Sequence, residues 1–73
     1  MARRRRYGVV PHGGDWRVTR AGRVLSNHHL KSRAVDEGVR AARADRDSQL
    51  VIRRRDGTFQ DNRTFDAPRR SHG

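Results

Sequence analysis

The chain has 73 residues, 18 of them lysine or arginine and 8 aspartate or glutamate, giving a formal net charge of +10; 32% are hydrophobic and none is cysteine. That length holds one domain with a small core, and the lack of cysteine excludes disulfide staples and thiolate metal sites, in keeping with a reducing cytosol. No apolar run nears the roughly 20 residues that cross a bilayer, and the N-terminal arginines lead into no apolar signal segment, so a soluble, cytoplasmic protein with no membrane partner is expected.

Residues 1–6, Met-Ala-Arg-Arg-Arg-Arg, are expected to form a disordered basic arm, because like charges repel and no apolar side chain anchors them. A single domain is expected over residues 7–65 and a flexible tail over 66–73. Without arm and tail the charge is twelve basic against seven acidic groups, or +5, so half of the excess lies at the ends.

Tyr7 to Pro11 predicts a first strand, since aromatic and β-branched residues suit a half-buried pleat and Pro11 suits its end. After the turn His12-Gly13-Gly14-Asp15, Trp16 to Arg20 alternates, with Trp16 and Val18 on one side and Arg17 and Thr19 on the other. Ala21-Gly22 marks a tight turn into a short third strand, Arg23 to Ser26.

The spacing predicts a helix over Ser32 to Arg46, with Ala34, Val35, Gly38, Val39, Ala41 and Ala42 on one slim apolar face and Ser32 as N-cap. Gly38 costs about 1 kcal/mol relative to alanine. It is either simply tolerated or a point where a strand side chain such as Trp16 presses on the helix backbone. Gln49 to Arg54, with Leu50, Val51 and Ile52, predicts a fourth strand. Asp56-Gly57, whose residue types both tolerate positive φ, turns the chain into a last strand over Thr58 to Asp61, and Phe65 is placed to fold back onto the domain.

The expected architecture is α+β: an antiparallel sheet of four to five strands, in the order β-β-β-α-β-β, with the helix packed on one face. Trp16, Val18, Leu50 and Ile52 would meet the helix, leaving Arg17, Thr19, Val51 and Arg53 on an uncovered face.

Three features together resemble a small bacterial domain family of unknown function. They are Tyr7-Gly-Val-Val-Pro-His12 followed by Trp16-Arg-Val18, an alanine-rich helix approached through a Ser/Lys turn, and Arg55-Asp-Gly-Thr-Phe-Gln-Asp61. The resemblance covers about residues 7–65, with Phe59 where the family usually has isoleucine. It implies the fold and carries no activity, cofactor or site residues with it.

Function therefore rests on charge. Seventeen of the 18 basic residues are arginine, and such a surplus attracts polyanions, of which nucleic acid is the abundant cytosolic one. The candidate contacts are Arg3, Arg4, Arg5 and Arg6 in the arm, Arg53, Arg54 and Arg55 against the Asp56-Gly57 hairpin, and Arg17 beside Arg53 on the uncovered face. They would meet DNA or RNA phosphates without reading sequence, since no helix-turn-helix, zinc finger or ribonucleoprotein motif is present. The plainer reading is a solubilising tail and an ordinary solvated sheet face. Because strand alternation sends Arg54 away from Arg53 and Arg55, the three cannot form one clamp unless the turn twists them.

Tyr7 and Trp16 are assigned to packing rather than base stacking, with Trp16 as the core anchor. His28-His29 gives no zinc spacing, so neither metal nor cofactor is expected. Ser26, His28 and Asp36 can be named as a triad, but no nucleophile elbow, glycine-rich phosphate loop or paired acids accompany them, and a non-catalytic role is expected. The alternative function is a protein-interaction or self-association module, including a homodimer, that uses the uncovered sheet face or an edge strand.

Overall fold

The computed structural model describes residues 4–66. Its elements are β1 (Arg5–His12), β2 (Asp15–Arg20), β3 (Arg23–His28), α1 (Lys31–Ala44), β4 (Ser48–Arg53) and β5 (Phe59–Phe65). One five-stranded sheet has the order β3-β2-β1-β4-β5, and α1 lies over β1, β2, β3 and β4. The α+β class and the β-β-β-α-β-β order are as expected.

The sheet is mixed rather than wholly antiparallel. β1 pairs antiparallel with β2 and β2 with β3, so β3 runs parallel to β1, and the crossover through α1 returns the chain in the same sense. β4 therefore joins β1 in parallel register, from Arg5↔Ser48 to Val9↔Ile52. A parallel pair needs a crossover of a dozen or more residues, which the 14-residue helix provides.

Strand boundaries also differ from expectation. β1 begins inside the predicted arm, because Arg5 and Arg6 pair with Ser48 and Gln49, and a ladder partner outweighs their charge repulsion. β3 continues to His28, which pairs with Trp16. β5 runs on to Phe65 because β4 offers partners back to Ser48.

The helix starts at Lys31 after Leu30, which caps it without a side-chain hydrogen bond, so Ser32 is not the N-cap. Lys31 Nζ sits 4.9 Å from the centroid of the Trp16 ring and draws that residue into the first turn. At the other end Asp45 leaves the helix for Tyr7, Arg5 and Arg20, which ends α1 before Arg46.

The core is Tyr7, Val9, Trp16, Val18, Leu50 and Ile52 from the sheet against Ala34 and Ala42, with Val35, Val39, Ala41 and Phe65 packed around them. The buried helix positions are Ala34, Gly38 and Ala42, so small residues let α1 ride close to the strands. A Cβ on Gly38 would stand 3.1 Å from both Leu50 Cδ1 and Val9 Cγ2. The close-approach reading holds, with those residues in place of Trp16. No helix among the described residues is long and apolar enough to cross a membrane.

Candidate functional site

A strand with one buried face must present its alternate residues to the other side. With Tyr7 and Val9, Trp16 and Val18, and Leu50 and Ile52 turned to the helix, the uncovered face takes Arg6, Gly8 and Val10 from β1, Arg17 and Thr19 from β2, and Gln49, Val51 and Arg53 from β4. β3 adds Val24 and Asn27 by register, and β5 adds Asn62 and Thr64. Gly8 lies at the middle of this face, where a Cβ would stand 2.8 Å from Thr19 Oγ1 and force that side chain to shift.

Three of the predicted arginines meet on this surface. Arg17 is directly opposite Val10, and Arg53 follows Ile52, the partner of Val9, on the strand at Val10's other side. Two strand spacings put Arg17 and Arg53 about 10 Å apart, with Arg6 about 13 Å back along β1. Arg17 Nε donates to Asn27 Oδ1 at 3.2 Å, and Arg53 Nη1 donates to the Gly57 carbonyl at 3.1 Å. Both contacts hold the side chains with neutral groups and leave their charge unmatched.

Among the described residues neither Arg6, Arg17 nor Arg53 has an ion-pair partner. The strands carry two carboxylates: Asp15 at the end of β2 meets His29 Nδ1 at 3.1 Å, and Asp61 on β5, level with Ile52, lies on the covered side.

The remaining candidates go elsewhere. Arg3 lies outside the described residues. Arg4 Nη2 pairs with Asp66 Oδ1 at 2.5 Å, and Arg5 Nε with Asp45 Oδ1 at 3.2 Å, so neither belongs to a free arm. Arg54 Nη1 bonds the Phe59 carbonyl at 3.1 Å. Arg55 borders a cleft of about 300 Å³ between the two hairpin turns at the end of the sheet, with Pro11, Trp16 and Gly57 among the other walls. The run Arg53-Arg54-Arg55 therefore fans out, and only Arg53 shares the open face.

Sequence reading missed Arg6 as a sheet residue. The signal was present in the alternation of Arg6, Gly8 and Val10 against Tyr7 and Val9.

The covered side spends its polar groups on structure. Tyr7 is 5% exposed, and its hydroxyl donates to Asp45 Oδ2 at 2.7 Å while Arg5 and Arg20 flank the same carboxylate. Burial, then the hydrogen bond to Asp45, pushes the phenol pKa above its ordinary range. Trp16, 4% exposed, is the core anchor.

His28 and His29 point apart: Ser26 Oγ lies 2.9 Å from His28 Nε2, and His29 turns to Asp15. Asp36 shares a shallow depression with His28, Arg33, Glu37 and Arg40 but makes no hydrogen bond to the imidazole, so Ser26, His28 and Asp36 are not linked as a triad. Among the described residues no three His, Cys, Asp or Glu side chains converge on a metal position.

In comparison with known proteins, the family model described as "Uncharacterized protein conserved in bacteria (DUF2188)" matches residues 7–65. Neither a curated protein nor a solved structure matches the chain.

Proposed function

The chain belongs to this uncharacterized bacterial family, and from that premise and the open face of its sheet we propose that it is a non-catalytic cytoplasmic module that binds nucleic acid through phosphates. Arg6, Arg17 and Arg53 are the principal contacts, Arg55 extends them at the end of the sheet, and Val10, Thr19 and Val51 form the low floor between them. The observation that carries the reading is the gathering of Arg6, Arg17 and Arg53 on one open face with no ion-pair partner among the described residues; Arg23 and the helix arginines Arg33, Arg40 and Arg43 also have no ion pair but stand away from that face. A twisted sheet face with fixed cations spaced about 10–13 Å apart can meet several phosphates of one duplex or strand. The side chains between them are small or neutral and carry no bidentate pattern for reading a base edge, so binding is expected to be indifferent to sequence.

The test is a fluorescence-anisotropy titration against duplex and single-stranded oligonucleotides from 50 to 200 mM salt. Four to six neutralised phosphates would give a slope of about −4 to −5 for log affinity against log salt on duplex DNA. Absence of binding at 50 mM salt would overturn the reading, and so would tight binding insensitive to salt.

A further inference from the structure

β5 is an edge strand, hydrogen-bonded to β4 on one side and, among the described residues, to no strand on the other. Its residues are exposed from Phe59 to Thr64, and Phe65 is partly buried. Edge strands are usually blunted by bulges, by proline or by charges that repel a copy of themselves. The opposite edge, β3, follows that rule, with a register shift opposite Val18/Thr19 in the middle of its ladder. On β5 the one irregularity lies at the Phe59 end, and Asp61 to Phe65 pairs regularly with β4.

The order of residues on this regular edge is self-complementary. Laid antiparallel on a second copy about Asn62, Asp61 of each chain stands opposite Arg63 of the other; beyond Asp61 the irregularity turns Phe59 to the open face beside Arg53, away from Phe65 on the covered side. Asp61 and Arg63 lie on the same side of the strand and already pair at 3.6 Å within one chain, both about half exposed. Two copies would therefore alternate acid, base, acid, base around the two-fold axis, and opposite charges directly across a strand pair stabilise it. Within one chain Asp61 Oδ1 accepts from Asn62 N at 2.8 Å, so pairing exchanges that local bond for the cross-strand contact with Arg63.

We propose that the protein forms a symmetric homodimer by antiparallel pairing of β5 with β5 of a second copy, giving one continuous ten-stranded sheet. The contact is isologous, each side offering the same patch, and the axis stands perpendicular to the sheet. Both helices then lie on one side and both open faces on the other. The dimer is independent of nucleic acid. Where nucleic acid also binds, pairing doubles the number of unmatched arginines on one surface.

Sedimentation equilibrium of the full chain without nucleic acid, from about 1 to 500 µM, tests this, the low end of the range reflecting a small interface. A concentration-dependent rise from monomer to dimer mass is expected. Asp61→Arg or Arg63→Asp alone places like charges opposite each other twice and should raise the dimer Kd at least about tenfold. The double exchange Asp61→Arg/Arg63→Asp restores opposite charges and should return Kd to within about threefold of the starting value.

In a chain without cysteine, Asn62→Cys puts two thiols on the axis, where facing Cα atoms about 4.5–5.5 Å apart suit a disulfide. It should cross-link on mild oxidation, whereas Asn27→Cys on β3 should not. Circular dichroism of each variant confirms the fold. A monomer throughout the range would overturn the proposal, as would a dimer indifferent to both single exchanges or cross-linking that favours Asn27→Cys.

Discussion

The two faces of the sheet use arginine differently. Toward the helix, Arg5 and Arg20 close on Asp45, which also takes the Tyr7 hydroxyl, and Arg63 meets Asp61. Away from the helix, Arg6, Arg17 and Arg53 stand over Gly8, Val10 and Thr19 with no acid beside them. Charge bound in local pairs steadies a small fold, whereas charge left unmatched on a rigid surface is available to a partner. Composition alone assigns both sets the same meaning, and only their placement separates them.

The largest expected effect breaks this division from the covered side. Trp16→Ala removes the biggest buried side chain and should cost about 3–5 kcal/mol. That is most of the stability of a domain this small, which at typical per-residue values is roughly 4–11 kcal/mol. Val51→Ala, on the half-buried open face, should cost about 1 kcal/mol or less. Urea unfolding of the two variants measures the contrast, and equal losses would mean that the open face is part of the core.

Next in size is the reverse experiment. Changing Arg6, Arg17 and Arg53 together to glutamine should weaken nucleic-acid binding by about 10- to 100-fold near 100 mM salt and reduce the salt slope by about 3. Stability should change by no more than about 0.5 kcal/mol per site, as for ordinary surface positions. The matched control, Arg5→Gln with Arg20→Gln, should leave binding nearly intact and lower the unfolding midpoint. Anisotropy and urea titrations on both variants decide whether function and stability divide along the two faces.

Much of this division was legible in the sequence. Alternation in Trp16 to Arg20 and the apolar stripe of Ala34, Gly38 and Ala42 identified the covered layer, because burial imposes a period on residue type. What could not be seen depends on partners distant in the chain. The parallel pairing of β1 with β4 comes from the path of the crossover, and no local pattern encodes it. Arg5 and Arg6 read as a charged arm until Ser48 and Gln49 supply their ladder. β5 is polar on both sides, so its middle looks like loop until β4 is placed beside it. The capping role of Ser32 failed for a similar reason: Lys31 settles over the Trp16 ring, and the N-cap lies two residues earlier, at Leu30. At the site, Arg17 and Arg53 followed from strand phase, whereas Arg6 required knowing how far β1 extends.

A smaller effect sharpens the covered side. Tyr7→Phe deletes the hydroxyl bonded to Asp45 and should cost about 1–2 kcal/mol. Burial and that bond raise the folded-state pKa of the phenol. Above about pH 10, where an unfolded tyrosine loses its proton, the folded chain still holds one, so the contribution present below that pH is lost as pH rises through the folded value. Wild-type stability should therefore decline on the alkaline side, and Tyr7→Phe should remove that part of the decline. Chemical unfolding between about pH 8 and 11 measures it.

The smallest effect concerns the hairpin that follows Arg53 on the open face and holds Arg55 beside the cleft at the end of the sheet. Asp56 Oδ1 accepts from Thr58 Oγ1 at 2.6 Å and from Thr58 N at 3.0 Å, and Gly57 turns the chain with φ at 88°. Gly57 takes the positive φ and Asp56 does not, so the aspartate serves as the acceptor that closes the loop. The Thr58 hydroxyl, then its amide, then the Arg54 charge hold the carboxyl pKa below the ordinary aspartate range. A depressed folded pKa contributes stability above the ordinary value of about 3.9 and loses it as pH falls through the folded one. The hairpin amides should therefore lose protection, measured against the intrinsic exchange rate at each pH, as pH falls, while Val9, Val18 and Leu50 keep theirs. Asp56→Asn keeps an acceptor oxygen without the charge and should flatten that acid dependence, whereas Thr58→Ala should speed exchange at every pH. Arg53 Nη1 is tied to the Gly57 carbonyl, so loosening the turn should also weaken nucleic-acid binding slightly. Faster hairpin exchange with unchanged binding would show that Arg53 is positioned by its strand and owes nothing to the turn.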